Sequence, residues 1–135
     1  MDRFDVAVLI GSFQPFHRVN RALLERALSS APVVVVVIGS ARHAPTAKNP
    51  FSAPERERMI RATVSEAEQA RLRFVALPDF YDEAAWCEAV KASVAAQAPA
   101  GARCALVGGV QEASSHSVRR LSAWHFLGVE AEPGV

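Results

Sequence analysis

Val33 to Ile38 reads VVVVVI, and no other stretch of the chain restricts the fold so tightly. β-Branched side chains are stiff at χ1 and favour extended backbone. A strand with one wet face alternates apolar and polar residues, and this one does not. Both of its faces must therefore be covered, as in a parallel sheet with helices on either side. The surrounding apolar run, Ala31 to Ile38, is too short for a membrane span, which needs roughly 20 residues. Asp5 to Ile10 (DVAVLI) has the same character and stops at Gly11.

The rest of the chain supplies the covering layers. Asn20 to Ser29 reads as a helix, with Ala22, Leu23, Ala27 and Leu28 sharing one face. Ser52-Ala53-Pro54-Glu55 is a capping box with proline in the first turn, and the helix it opens is expected to run to about Ala70. Arg73 to Leu77 follows as a strand. Glu83 to Gln97 is a helix with Trp86, Val90 and Val94 at spacing four. Cys104 to Val107 is a strand ended by Gly108-Gly109, a helix capped by Ser114 or Ser115 reaches Trp124, and Phe126 to Val129 closes the series. This alternation predicts one domain over residues 1–135: a Rossmann-like, doubly wound parallel sheet of five strands with helices on both faces. Ligands of such sheets sit outside the carboxyl ends of the strands. The loops Gly11 to Asn20, Ser40 to Phe51 and Gly108 to Ser115 all reach that edge.

Composition removes several function classes. The 135 residues carry a formal charge of +1, which recommends neither nucleic acid nor an anionic membrane as partner. Cys87 and Cys104 lack C-x-x-C spacing, and a reduced cytoplasmic setting is the expectation. The acid-bearing N-terminus, Met1 to Asp5, does not read as a signal peptide. No metal-ligating cluster is singled out, and a homo-oligomer is left open.

The segment most charged with chemistry is Gly11-Ser12-Phe13-Gln14-Pro15-Phe16-His17. A glycine at the end of a strand allows a tight turn and close approach to a phosphate. The segment feeds a helix N-terminus, a natural anion site. His17 stands where an imidazole can donate to a phosphoryl oxygen. The alternative is a hydrophobic βα loop with an incidental histidine.

The full string resembles the G-x-F-x-P-F-H-x-G-H signature of the HxGH nucleotidyltransferases, and more closely the nicotinamide mononucleotide adenylyltransferases of the branch fused to Nudix hydrolase domains. Further along, Ile38-Gly39-Ser40-Ala41, Lys48-Asn49-Pro50-Phe51-Ser52, Glu55-Arg56 and Met59-Ile60 are similar to that branch. So are Tyr81 with Trp86, and Val107-Gly108 with Glu112-Ala113-Ser114-Ser115 and Trp124. The resemblance implies adenylyl transfer from ATP to nicotinamide mononucleotide (NMN), giving NAD and pyrophosphate with Mg²⁺ present. It implies that Gly11, the backbone of Ser12 and Phe13, and Phe16 build the phosphate loop. His17 would act on the phosphates, with Asn20 at the position of the second histidine. Trp86 would stack on the nicotinamide ring, or else be a core aromatic. Asn49 and Arg56 would line the site, although Arg56 suits a surface place on its helix equally well. Ser114 and Ser115 read as helix caps before they read as ligands.

The string departs from the family at Ser12 for arginine, Val19 for glycine, Asn20 for histidine, Gly109 for histidine and Gln111 for lysine. The C-terminal I-S-x-T-x-x-R motif has no secure counterpart. The expectation is therefore weakened turnover, with Val19 pushing the helix away from the phosphates. Two other readings stand beside it: a nucleotide-binding domain without turnover, and an enzyme of the same fold with another acceptor, such as a phosphopantetheine, or a cytidylyltransferase.

Overall fold

The computed structural model describes residues 4–11, 13, 16, 18–39, 51–78, 82–109, 121 and 124–129. They form β1 (Val6–Gly11), α1 (Arg18–Ser30), β2 (Val33–Ile38), α2 (Ala53–Arg61), α3 (Glu66–Gln69), β3 (Leu72–Ala76), α4 (Glu83–Gln97), β4 (Cys104–Gly109) and β5 (His125–Val129). The five strands make one sheet in the order β3-β2-β1-β4-β5, and every pairing is parallel. This is the Rossmann-like α/β architecture that the VVVVVI run demands.

The missing alternation of that run is explained by two cores, one on each face. Val34, Val36 and Ile38 join Ala7, Leu9, Ala105, Val107 and Leu127 beneath α1 and α2, whose Leu24, Ala27 and Ile60 are buried there. Val35 and Val37 join Val6, Val8 and Leu106 on the opposite face, against Cys87, Val90 and Val94 of α4. Period two is thus present in the strands, but it sorts residues between two dry layers instead of between protein and water.

Several boundaries differ from the sequence expectation, each for a local reason. The first helix begins at Arg18, two residues before Asn20, so Arg18, Val19 and Asn20 form its opening turn. The capping-box helix stops at Arg61. A second capping box, Ser65 with Glu68, then opens the short α3, and in both boxes the serine side chain accepts from the N3 amide while the glutamate accepts from the cap amide. Gly108 and Gly109 do not stop β4 at Val107 but form its last two residues. They pair with Gly128 and Val129 of β5, because a glycine can still join a ladder when a neighbouring strand satisfies its backbone. The helix expected between Ser114 and Trp124 lies outside the described residues, apart from buried Leu121 and Trp124, whose N–H donates to the Leu121 carbonyl at 3.1 Å.

One long-range device fixes the amino edge. The Arg71 guanidinium, just before β3, donates to the carbonyls of Leu28, Ala31 and Pro32. α1 has no basic residue in its own last turn. Arg71 supplies the cation that its carbonyl end favours.

Candidate active site

Strand order places the topological switch between β1 and β4: β2 and β3 extend the sheet one way, β4 and β5 the other. The crevice of such a sheet opens at the switch, above the carboxyl ends of its strands. The Gly11-to-Asn20 segment leaves β1 at that point and enters α1, which packs over β1 and β4. The Gly39 N–H donates to the Gly11 carbonyl at 3.0 Å, and the Leu77 N–H to the Ile38 carbonyl at 2.9 Å. The ends of β1, β2 and β3 are therefore joined beyond their ladders.

Gly11 is required for a reason that differs from the expected one. A Cβ there would lie 2.6 Å from Cε1 and 2.7 Å from Cζ of Phe13. The Phe13 ring folds back over Gly11 and is only 3% exposed. To reach that position Phe13 takes a left-handed backbone, with φ of 52°. For a bulky residue such a conformation costs about 1–3 kcal/mol. Burial of the ring returns about 1.5–3 kcal/mol, so the turn holds without glycine. The Phe16 ring packs on Phe13 at 5.6 Å between centroids and on the same core layer. Phe13 and Phe16 thus tie this end of β1 into the core. Ser12 and His17 lie outside the described residues, as does Asn49.

Arg56 does not take the expected surface place on its helix, being 1% exposed. Its Nη1 donates to the Gly39 carbonyl at 2.7 Å and its Nε to the Ser52 carbonyl at 3.2 Å. Burial pulls its pKa below the ordinary guanidinium value. Even so, an arginine keeps its charge at neutral pH. Sequence missed this because i,i+4 amphipathicity assigns a charge within a capped helix to solvent; only the approach of Gly39, 17 residues away, explains it.

Asn20 is half-buried in the first turn of α1. Val19 beside it is 40% exposed. Trp86 stands in the first turn of α4, where its N–H donates to the carbonyl of the N-cap, Asp82. It packs partly on the α4-side core and keeps part of its surface open. Stacking platform and core aromatic are both served by that position. The structure thus brings Gly11, Phe13 and Phe16 together at the end of β1, with Asn20 in the first turn of α1 and Arg56 joined to Gly11 through Gly39.

Comparison with known proteins gives the constellation a family. Residues 8–77 match the cytidylyltransferase-like family. A nicotinamide/nicotinic acid mononucleotide adenylyltransferase of Acinetobacter baylyi is 36% identical over 131 residues, covering 97% of this chain and 70% of that protein. This chain belongs to the nicotinamide mononucleotide adenylyltransferase family. A family member from Thermoplasma acidophilum, named a nicotinamide-nucleotide adenylyltransferase, is 36% identical over 86 residues, which span about half of it, 48%. A bifunctional NMN adenylyltransferase/ADP ribose pyrophosphatase from Francisella tularensis, solved with AMP and a manganese ion, superposes with a TM-score of 0.86 at 30% identity. That superposition takes in 97% of this chain and 38% of the bifunctional one.

Among the described residues no three His, Cys, Asp or Glu side chains converge to hold a metal ion. A Mg²⁺ ion that keeps several waters and is carried on substrate phosphates does not need such a cage. No described helix is long and apolar enough to cross a membrane.

Proposed function

We propose that this chain binds ATP and a pyridine mononucleotide at the carboxyl edge of its sheet and transfers the adenylyl group between them. The mononucleotide phosphate attacks the α-phosphorus of ATP; a P–O bond forms there, the bond to the departing pyrophosphate breaks, and NAD results. The observation that carries this reading is the place of the Gly11-to-Asn20 segment at the switch between β1 and β4, anchored by Phe13 and Phe16.

Such transfer asks a protein mainly to position two polyanions and to stabilise charge as it moves. Gly11 and the Phe13 backbone support the phosphate loop. His17 donates to phosphoryl oxygens, and Asn20 in the first turn of α1 offers an amide donor beside it. Mg²⁺, held on the nucleotide phosphates, supplies charge neutralisation. Asn49 lines the acceptor side, and Trp86 stacks on the pyridine ring with its open surface.

Turnover is expected to be slow, below about 1 s⁻¹ at the low end of ordinary enzymes. Asn20 cannot become cationic as a histidine can, and Ser12 brings no charge. Calorimetry with ATP and with NMN, followed by an assay of NAD formation with Mg²⁺, tests the reading. Binding of both nucleotides with slow product formation is the expected result, and no binding of either sinks it. Trp86→Ala should weaken NMN binding by about 1–3 kcal/mol, the scale of aromatic–base stacking. If that variant lowers only the melting temperature, Trp86 is a core residue.

A further inference from the structure

We propose that Arg56 is a positioning residue of this site: its buried guanidinium fixes the carboxyl end of β2, and through it that of β1, to the start of α2. The inference rests on the nucleotide-binding reading above.

The bonds form a continuous path. Arg56 Nε donates to the Ser52 carbonyl at 3.2 Å, and Nη1 donates to the Gly39 carbonyl at 2.7 Å. On its other side, the Gly39 peptide donates to the Gly11 carbonyl at 3.0 Å. Gly11 begins the phosphate segment, and Gly39 and Ser52 bracket residues 40–51, which carry Lys48 and Asn49. One side chain thereby ties together the two residues that flank 40–51, and with them the end of β1.

The choice of residue fits this task better than a task of stability. Taking a cation out of water is costly, and an apolar side chain of similar volume would often stabilise the helix as well. Only a planar fork offers charge-assisted donors in two fixed directions. Ser52 itself is already committed. Its hydroxyl accepts from the Glu55 amide, its amide donates to the Glu55 carboxylate, and its carbonyl also accepts from the Arg56 amide. The anchor to which Nε is tied is therefore a rigid one.

The test compares Arg56→Met and Arg56→Lys with Ile60→Val, a core variant in the same helix. Three quantities are read: thermal melting, calorimetric binding of ATP and NMN, and limited trypsin cleavage. Trypsin recognises Arg42 and Lys48 between Gly39 and Ser52, and Arg71 and Arg103 elsewhere in the chain. Arg56→Met should speed cleavage after Arg42 and Lys48 about tenfold relative to Arg71 and Arg103. It should also weaken nucleotide binding about tenfold or more. Arg56→Lys, which keeps the charge but loses the fork, should fall between; it carries the test alone if the methionine variant does not fold. Ile60→Val should leave the cleavage ratio unchanged. Cleavage that rises evenly across all four sites in proportion to lost melting temperature would show that Arg56 is merely structural. So would unchanged binding in Arg56→Lys together with an unchanged cleavage ratio. Should the unaltered chain bind neither nucleotide, the functional reading fails, and the cleavage ratio still decides the clamp.

Discussion

At the residue scale, the phosphate segment is held by a glycine and two phenylalanines acting together. Gly11 is bare because the Phe13 ring occupies the space of a side chain there, 2.6 Å from where a Cβ would sit. Gly11→Ala should therefore displace the ring, cost about 1–3 kcal/mol as overpacking does, and weaken ATP binding; chemical denaturation with calorimetry measures both. An alanine variant with unaltered stability would show that the ring is not seated as described. Asn20 is the other residue with a sharp prediction. If the proposed function holds, Asn20→His adds a group able to bear charge to the first turn of α1, and kcat for NAD formation should rise by about 10², the usual worth of one preorganised donor. A rise in KM alone would assign Asn20 to ground-state binding. Cys104 offers a contrast. Burial and the neighbouring Asp5 carboxylate push its thiol pKa up, which suits a structural cysteine and not a nucleophile.

At the scale of elements, two capping boxes divide what reads in sequence as one long helix. Ser65 and Glu68 repeat the Ser52–Glu55 spacing, and that repeat was available as a signal for the break. The hydrogen bonds from Ser52 and Ser65 hold the Glu55 and Glu68 carboxyls below the usual carboxylate range. A lowered folded-state pKa gives stability that is present above the unfolded value and lost as pH falls through the folded one. Unfolding followed from neutral pH into the acid range should show this loss, and Glu55→Gln with Glu68→Gln should flatten that slope. Equal slopes in both proteins would show that the boxes do not couple to protons. Four of the strands were legible to within a residue because each is a short apolar run, while β4 ran two residues further, through Gly108 and Gly109. Arg56 was not: its surroundings come from Gly39, and no local pattern encodes a contact that depends on how α2 lies across the sheet.

At the scale of the whole molecule, the site belongs to no single element. The proposed function draws on the end of β1, the end of β2 and the starts of α1, α2 and α4 at once, and hydrogen bonds join the first two to α2. A ligand that bridges them stabilises the folded state by mass action. ATP at a hundred times its Kd should add about 2.7 kcal/mol, or roughly 10 °C of melting temperature for a domain of this size. Differential scanning calorimetry across an ATP titration checks it, and a flat melting temperature would deny a site on the folded chain. Sequence predicted the sheet topology, and with it the edge proposed for the site, because topology follows from the order of strands and helices. The side-chain partners within that edge were out of reach, since they depend on close packing between segments far apart in the chain. The valine run has a last consequence. Slid by one place, Val33 to Val37 would present valine to both cores almost as before, so β2 carries little information about its own alignment. That information must be stored beyond the strand's ends: in Arg71 gripping the carbonyls of Ala31 and Pro32 on one side, and in Gly39 joined to Gly11 and Arg56 on the other. The strand that dictates the fold is addressed by its neighbours.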